Sequence, residues 1–362
     1  MNKMNIRELK IEDMQKMFDL LRTREELNEE GARKRTQLME WLAFKNPFAG
    51  NEPTYFIAED NGKIVAHLGR MPNEFIIQGK LHRAYFSHDL LVHPEYRKKG
   101  LGLFLTMSLY KAIEENSNSF CCLIWTSELN LDMQRRRGYY ETKAGCYLKV
   151  FNPEDIIRRL LKKKTLIRVL SPLLKGILIL TNWMVINLIP SHRIVTKVNR
   201  LDSRFDAFYR TIVCKMGICT NKSSAYLNWK FIDRPFNKTV VFEAREKGNI
   251  TGYIILAPNL GKEFPEGMIV DIIVDPEDTK TIISLLKESV KYFRRQRVFS
   301  IRCCLTDKRF IKVLRRFQFL SLPRGEPVML ANLKKYENKE ILMEIKNWSL
   351  TYSESDEMML RA

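Results

Sequence analysis

YFSHDLLVHPEYRKKGLG, residues 85–102, is the stretch whose reading decides the fold. Asp89, Leu90, Leu91 and Val92 read as the end of a buried strand, stopped by Pro94. A short basic loop follows, Arg97-Lys98-Lys99-Gly100-Leu101-Gly102, and then an apolar helical run, LFLTMSLYKAIEE. Gly100 and Gly102 lack a Cβ, so their amides can approach a ligand closely and take positive φ. A helix N-terminus right behind them offers unpaired N–H groups and a favourable dipole to an anion. With three basic side chains on the same turn, the stretch is a cradle for a pyrophosphate. It is neither GxGxxG nor a P-loop, because no Gly-Lys-Ser/Thr follows.

Working outward, residues 11–22 and 31–46 have helical apolar spacing. TYFIAED and KIVAHLGRM read as a hairpin turning at Asn61-Gly62. A strand over about 81–93, the loop and helix, a strand in SFCCLIWTS, a helix near 128–137 and a last strand pair from Tyr139 to about Val150 complete the first unit. A second copy follows. WLAFKNPF at Trp41 matches WKFIDRPF at Trp229, and Asp89-Leu-Leu-Val-His-Pro-Glu95 matches Asp271-Ile-Ile-Val-Asp-Pro-Glu277. Cys121-Cys122 matches Cys303-Cys304, and MQRRRGYY matches VLRRFQFL. A slowly drifting offset across four blocks is the mark of an internal duplication. The second copy reads DTKTIIS after Glu277, without the glycines, so the cradle belongs to copy one.

The strand–Pro–loop–helix order with Arg97-x-x-Gly100-x-Gly102 after Val92-His93-Pro94 resembles the acyl-CoA signature of the GNAT N-acetyltransferases. The duplicated layout resembles tandem GNAT proteins of bacteria. The resemblance implies an α/β chain, an α+β mixed sheet, with two tandem GNAT-like domains joined by a helical linker. The expected bounds are an acyl-CoA-binding domain at 1–150, a linker at 151–220, a degenerate GNAT-like domain at 221–335 and a tail at 336–362. It implies an N-acyltransferase that passes acetyl from acetyl-CoA to a primary amine of a small-molecule or envelope-precursor acceptor by direct attack. Leu91, Val92, Arg97, Lys98, Lys99, Gly100, Leu101 and Gly102 would hold the acyl-CoA, with Ser127 and Asn130 on its pantetheine or adenylate side. Base candidates are Asp89, His88 and His67, with Glu59 considered beside them. The family's usual acid position holds Gln134, which leaves Tyr139 or its neighbour Tyr140 as a substitute, or a thiolate (ordinary pKa ~8.5) that leaves unassisted. Two other readings stay open: a non-catalytic CoA-binding sensor or scaffold, and a Fem-type aminoacyl transferase using charged tRNA.

Length and composition agree with a globular two-domain chain: 362 residues, 45% hydrophobic and 28% charged. The net charge of +19 favours anionic partners without choosing among CoA, nucleic acid and an acidic membrane. Nucleic acid is not expected as a partner. Seven Cys without a CxxC, two pairs of them adjacent on strands, suggest no metal site and reduced thiols in a cytosol-like compartment. The N-terminus has no apolar secretory signal, so the expected location is cytoplasmic. IIRRLLKKKTLIR opens the linker with six basic residues and no acid, and Gly176–Ile189 is uncharged but shorter than the ~20 residues of a membrane span. A helix buried between the lobes and a basic interfacial helix at the inner face of an anionic membrane, over 156–190, are both compatible with it.

Overall fold

The computed structural model describes residues 4–97, 101–115, 121–125, 128–153, 164–259, 265–323, 326–331 and 339–354. Its first half contains β1 (Asn5–Glu8), α1 (Met14–Leu21), α2 (Glu29–Phe44), β2 (Tyr55–Asp60), β3 (Lys63–Ile77) and β4 (Lys80–Val92). Then come α3 (Leu101–Glu115), β5 (Cys121–Trp125), α4 (Glu128–Arg136) and β6 (Tyr140–Val150). After the long helix α5 (Lys164–Leu188) the same order returns. It runs β7 (Ile194–Val198), α6 (Ser203–Ile212), the two-residue β8 (Cys219–Thr220), α7 (Ser224–Leu227) with a π-turn over Asn228–Ile232, and β9 (Val240–Glu246). It closes with β10 (Asn249–Asn259), β11 (Glu266–Val274), α8 (Thr279–Arg295), β12 (Ser300–Leu305), α9 (Arg309–Arg316), β13 (Leu320–Ser321), β14 (Glu326–Ala331) and the short α10 (Lys339–Met343). The returning order therefore starts at Ile194, upstream of the bound expected from sequence.

Local chemistry accounts for the turns. Asn61 and Gly62 both take positive φ, 48° and 77°, as a type I′ hairpin between β2 and β3 requires. Helix α2 is capped by Asn28, whose side chain accepts from the Gly31 N–H at 2.8 Å. The parallel step from β4 to β5 crosses over through α3, and that from β11 to β12 through α8.

All strands belong to one mixed sheet in the order β1-β2-β3-β4-β5-β14-β6-β12-β11-β10-β9-β7, with β13 beside β6 and β8 beside β3. The expected strand pair at 139–150 is thus a single strand whose partners come from the far end of the chain. β14 lies between β5 and β6, pairing Val328 with Trp125 and with Thr142. β6 in turn pairs with β12, Ser300 opposite Val150 through Leu305 opposite Gly145. Each half therefore takes its last strand from the other.

Three cores follow. One face of the whole sheet is covered by α1, α2, α6, α7 and the tail, and its core runs without a break from Met17 and Leu38 to Tyr253 and Trp348. The other face carries two separate cores, one under α3 with Leu105 and Leu109, one under α8 and α9 with Leu285 and Phe293. The two duplicated tryptophans meet across the shared core, where Trp41 Nε1 donates to the Trp229 carbonyl at 3.2 Å.

Cys303 and Cys304 face opposite sides, as strand alternation dictates, and lie in different cores. Cys304 stands directly opposite Cys146 on β6 and forms a disulfide with it, Cα–Cα 4.3 Å. The expectation of reduced thiols throughout is corrected here. The partner of Cys304 is fixed by a register between strands of different halves. Cys214, Cys219 and Cys303 are free.

Residues 1–150 expressed alone lack both β14 and the β12 neighbour of β6, so they expose two bare strand edges. The expected outcome is aggregation or a loss of cooperative melting by circular dichroism, reversed when residues 151–362 are co-expressed. A monomeric fragment with a sharp thermal transition would contradict the exchange.

Candidate functional site

The site is built on β4. Its pairing to β5 ends at Phe86–Leu123, while its pairing to β3 continues to Val92. Beyond Phe86 the two parallel strands diverge. The register between β3 and β4 shifts between His67 and Gly69, and Asp89 takes φ 54°, which is unusual for a residue other than glycine. This bulge re-aims the last residues of β4. The His93 N–H donates to Val65 O on β3 at 2.8 Å. Strand alternation then turns the Leu91 N–H toward β3 and the Val92 N–H toward the gap. Arg97 Nε donates to Val92 O at 2.8 Å, so the basic loop is tied back to the same strand end.

Helix α3 begins where that loop ends. Gly102 lies in its first turn without positive φ, contrary to the freedom expected from sequence. A Cβ there would stand 3.0 Å from Arg97 Cα and 3.4 Å from the Tyr96 and Arg97 carbonyls. The glycine is needed for close approach of loop to helix. Leu101 opens α3. Lys98, Lys99, Gly100 and Ser127 lie outside the described residues, as does the side chain of Asn130, whose backbone is in α4.

The second half treats the equivalent helix end differently. Asp278 caps α8, its carboxylate accepting from the Thr281 N–H at 3.0 Å, with Arg193 Nη2 3.4 Å away. Its own carboxylate occupies the helix N-terminus, where an anionic ligand would otherwise sit. The gap between β11 and β12 is also filled. Those strands pair only over Glu266–Ile269 and Ser300–Cys303, and past them Thr351 of the tail bridges to Leu305. Thr351 Oγ1 donates to Asp271 Oδ1 at 3.0 Å.

Each half buries one aspartate at this point of its sheet. Asp89 accepts from Arg35 Nη2 at 2.5 Å and from the Tyr55 hydroxyl at 3.4 Å. Burial raises its pKa, but the Arg35 guanidinium and the two nearby histidines outweigh that and hold it well below the usual range. Asp271 accepts from Lys222 Nζ at 2.5 Å, and Glu354 lies 3.4 Å from the same ammonium. Burial, offset in part by Lys222, pushes Asp271 up.

His67 on β3 and His88 on β4 flank Asp89. Their rings lie 6.0 and 5.1 Å from that of Tyr55, and His88 packs so closely on Gly69 that a Cβ there would be 2.5 Å from its ring. Both are buried. Neither nitrogen of His67 has a hydrogen-bond partner, nor does Nδ1 of His88. Burial pushes both imidazoles down to about 4, against the pull of Asp89, so they are neutral near pH 7. Tyr139 is on the other face of the sheet, in the core under α3, with the Arg137 guanidinium 4.8 Å from its ring. The structure groups Asp89, His88 and His67 and separates Tyr139 from them. Gln134 is fully buried beside it, and Glu59 is engaged on the surface by Arg7 and Lys16.

Several members of the group escaped the sequence reading. Arg35 lies on the buried stripe of α2, in helical register with Ala32, Leu38, Met39 and Leu42, and a charged residue on that stripe was the available signal. Lys230 comes from the second half. Its ammonium donates to Tyr226 Oη at 3.2 Å and to Ser353 O, and lies 5.7 Å from the Phe86 ring on β4. Burial lowers it to about 8. Among the described residues no cluster suited to a metal ion occurs.

Residues 5–142 match the family model described as an acetyltransferase (GNAT) domain. The fold is shared with a GCN5-related N-acetyltransferase from Anabaena variabilis, at TM-score 0.59 and 12% identity, covering 91% of this chain and 73% of that one. It is shared with an Enterococcus faecalis protein described as a probable N-acyltransferase, at TM-score 0.61 and 14% identity, covering 93% and 75%. N-myristoyltransferase from Saccharomyces cerevisiae, solved with myristoyl-CoA, superposes at TM-score 0.54 and 11% identity, covering 91% and 78%. No curated protein matches the sequence.

Two outcomes follow from the buried charges. Arg35→Met leaves Asp89 charged and unpaired in the core, which costs about 3–5 kcal/mol by urea melt. For the histidines the sign is the same as for the carboxylate, in a higher pH window. Their folded pKa is depressed, so stability is full above ~6.5, the unfolded value, and is lost as the pH falls toward about 4. Each contributes a loss of about 2 kcal/mol between pH 7 and pH 5, and His67→Phe removes one such share from the measured slope.

Proposed function

We propose, from a chain whose residues 5–142 match a GNAT acetyltransferase domain model, that it is an acyl-CoA-dependent N-acyltransferase whose donor is held by the first half. The acyl group is taken to be acetyl, and the acceptor a primary amine of a small molecule or envelope precursor. The observation that carries the assignment is the contrast between the two halves. β4 bulges and parts from β5 ahead of a glycine-tight loop and helix, whereas the second half fills both its helix N-terminus and its strand gap with its own residues.

In this reading Arg97, Lys98 and Lys99 neutralise the pyrophosphate, and the amides of Gly100, Leu101 and Gly102 receive it at the start of α3. The thioester carbonyl lies against the outward N–H of Val92, with Leu91 shaping the turn of the strand beside it. Ser127 and Asn130 border the pantetheine. The acceptor amine attacks the carbonyl carbon, a C–N bond forms, and the C–S bond breaks with its electron pair on sulfur. The amine's proton passes to His88, with His67 behind it. The imidazolium that forms is stabilised by Asp89, whose own position Arg35 fixes. The thiolate leaves as such, since a thiol of pKa ~8.5 needs no acid, and Tyr139 serves only the packing beneath α3. The protein is read as cytoplasmic, with a peripheral contact at the inner face of an anionic membrane.

A second reading, a CoA-binding sensor or scaffold without catalysis, is favoured by one observation. Both histidines and Asp89 are buried, so an amine reaches them only if α2 or the π-turn at Asn228–Ile232 moves.

Calorimetry and a thiol-release assay separate the readings. Acetyl-CoA is expected to bind, Gly102→Val to weaken it by roughly tenfold or more through the lost close approach, and Gly100→Glu with Gly102→Glu to abolish it. Unchanged affinity in the double variant removes the donor site from this loop. Binding without thiol release across a panel of amines, amino sugars and polyamines selects the sensor.

A further inference from the structure

Among its described side chains, helix α5, Lys164–Leu188, is held to the rest of the protein by one side. Val185 is buried in the core under α8, with Ile186 and Ile189 packed against the same core. Asn182 is buried too, its amide donating to Leu178 O at 2.7 Å and to Val150 O at 3.5 Å. Gln318 Nε2 reaches the Thr181 carbonyl at 3.4 Å. The opposite side is apolar and faces solvent. Leu173, Ile177, Leu180, Met184 and Leu188 recur at spacings of three and four, which aligns them on a single stripe. Their exposures are 63%, 50%, 59%, 42% and 62%, with Trp183 at 49% and Ile179 at 55% widening the stripe on one flank. A ridge of seven large apolar side chains on one helix is far beyond the scattered exposure of an ordinary surface.

The sequence leading into this ridge carries charge of one sign. From Arg158 to Lys175 the sequence holds seven Lys and Arg and no Asp or Glu, and the next acid is Asp202. No helix among the described residues is long and apolar enough to cross a membrane. An exposed apolar stripe of this kind, preceded in the sequence by a run of cations without an acid, matches a surface that is apolar inside and anionic at its rim.

We propose that α5 docks the protein on an anionic lipid bilayer, lying in the plane of the interface with Leu173, Ile177, Leu180, Trp183, Met184 and Leu188 in the acyl boundary and Lys175 at the headgroups. The anchored face of the helix stays on the protein, so docking needs no rearrangement of the sheet. The partner is a lipid surface rather than a second chain because the sequence from Arg158 to Lys175 carries cations and no acid, so a like copy would repel it rather than complement it. The inference gives a place and a mode to the peripheral contact included in the proposed function, but it rests on α5 and does not depend on the acyl-CoA site.

Flotation with vesicles of phosphatidylglycerol and phosphatidylcholine in equal parts tests it, with pure phosphatidylcholine as the control. The full chain is expected to float with the anionic vesicles, less so at high salt, and to stay down with the neutral ones. Leu180→Glu with Met184→Glu places two charges on the exposed stripe, and is expected to cut flotation by roughly tenfold or more while leaving the thermal midpoint and acetyl-CoA binding unchanged. A wild type that stays down at low salt overturns the proposal. So does a wild type that elutes as a dimer, becomes monomeric in the double variant and never floats. Acetyl-CoA binding measured on the same samples keeps this result separate from that of the catalytic reading.

Discussion

The structure depends on an exchange of strands. β14, near the end of the chain, supplies the neighbour that β5 needs, and β6 supplies the neighbour that β12 needs. Backbone N–H and C=O groups on a central strand have no alternative partners once buried, so neither half can close its sheet without the other. Every other cross-half contact follows from that arrangement. It brings the tail over the shared core, sets Trp41 against Trp229, aligns Cys146 with Cys304, and carries Lys230 to the underside of β4. The exchange also means that a strand made in the second half, β14, borders β5 beyond the point where β4 leaves it.

The two halves then diverge in chemistry while keeping the same geometry. Both bury an aspartate on the fourth strand of the repeat and both neutralise it with a cation from a neighbouring element, Arg35 for Asp89 and Lys222 for Asp271. Such a pair gains little against an apolar replacement but is costly to break, so it fixes position more than it adds stability. In the second half the pair is enclosed further by Thr351, Ser353 and Glu354, which knit the tail into the strand gap. In the first half the aspartate has beside it His67, with neither ring nitrogen bonded, and His88, with Nδ1 unbonded. A buried imidazole without a hydrogen bond is unfavourable and needs a reason. Beside a bulged strand and an anion, proton transfer is the reason offered above.

How much of this the sequence disclosed depends on the range of the interaction responsible. Turn chemistry is local, so Asn61-Gly62 and the helices near 14–21 and 29–44 were legible, and so was a helix beginning at Leu101 after the strand that ends at Val92. The return of the element order in the second half was legible because four blocks kept their spacing. The exchange was not, since the alternation in Tyr140–Val150 is the same whichever strand lies beside it. Cys304 showed which face it occupies but not its partner, because that is set by register across halves. For the site, Asp89, His88 and His67 were identifiable as titratable groups near the loop. Their burial, the lock of Arg35 on Asp89 and the removal of Tyr139 to the opposite face came from packing between helices and sheet, which no single stretch encodes.

The position of β14 has a consequence in time. A ribosome releases β5, ending at Trp125, long before it has made β14, ending at Ala331. At ordinary synthesis rates the interval is about 10 to 40 s. Throughout it the half that carries the loop is complete in sequence but unfinished as a sheet, with β5 lacking the strand that later separates it from β6. The domain made first is thus the last to be finished, and the nascent chain needs shelter from its neighbours until its final quarter emerges.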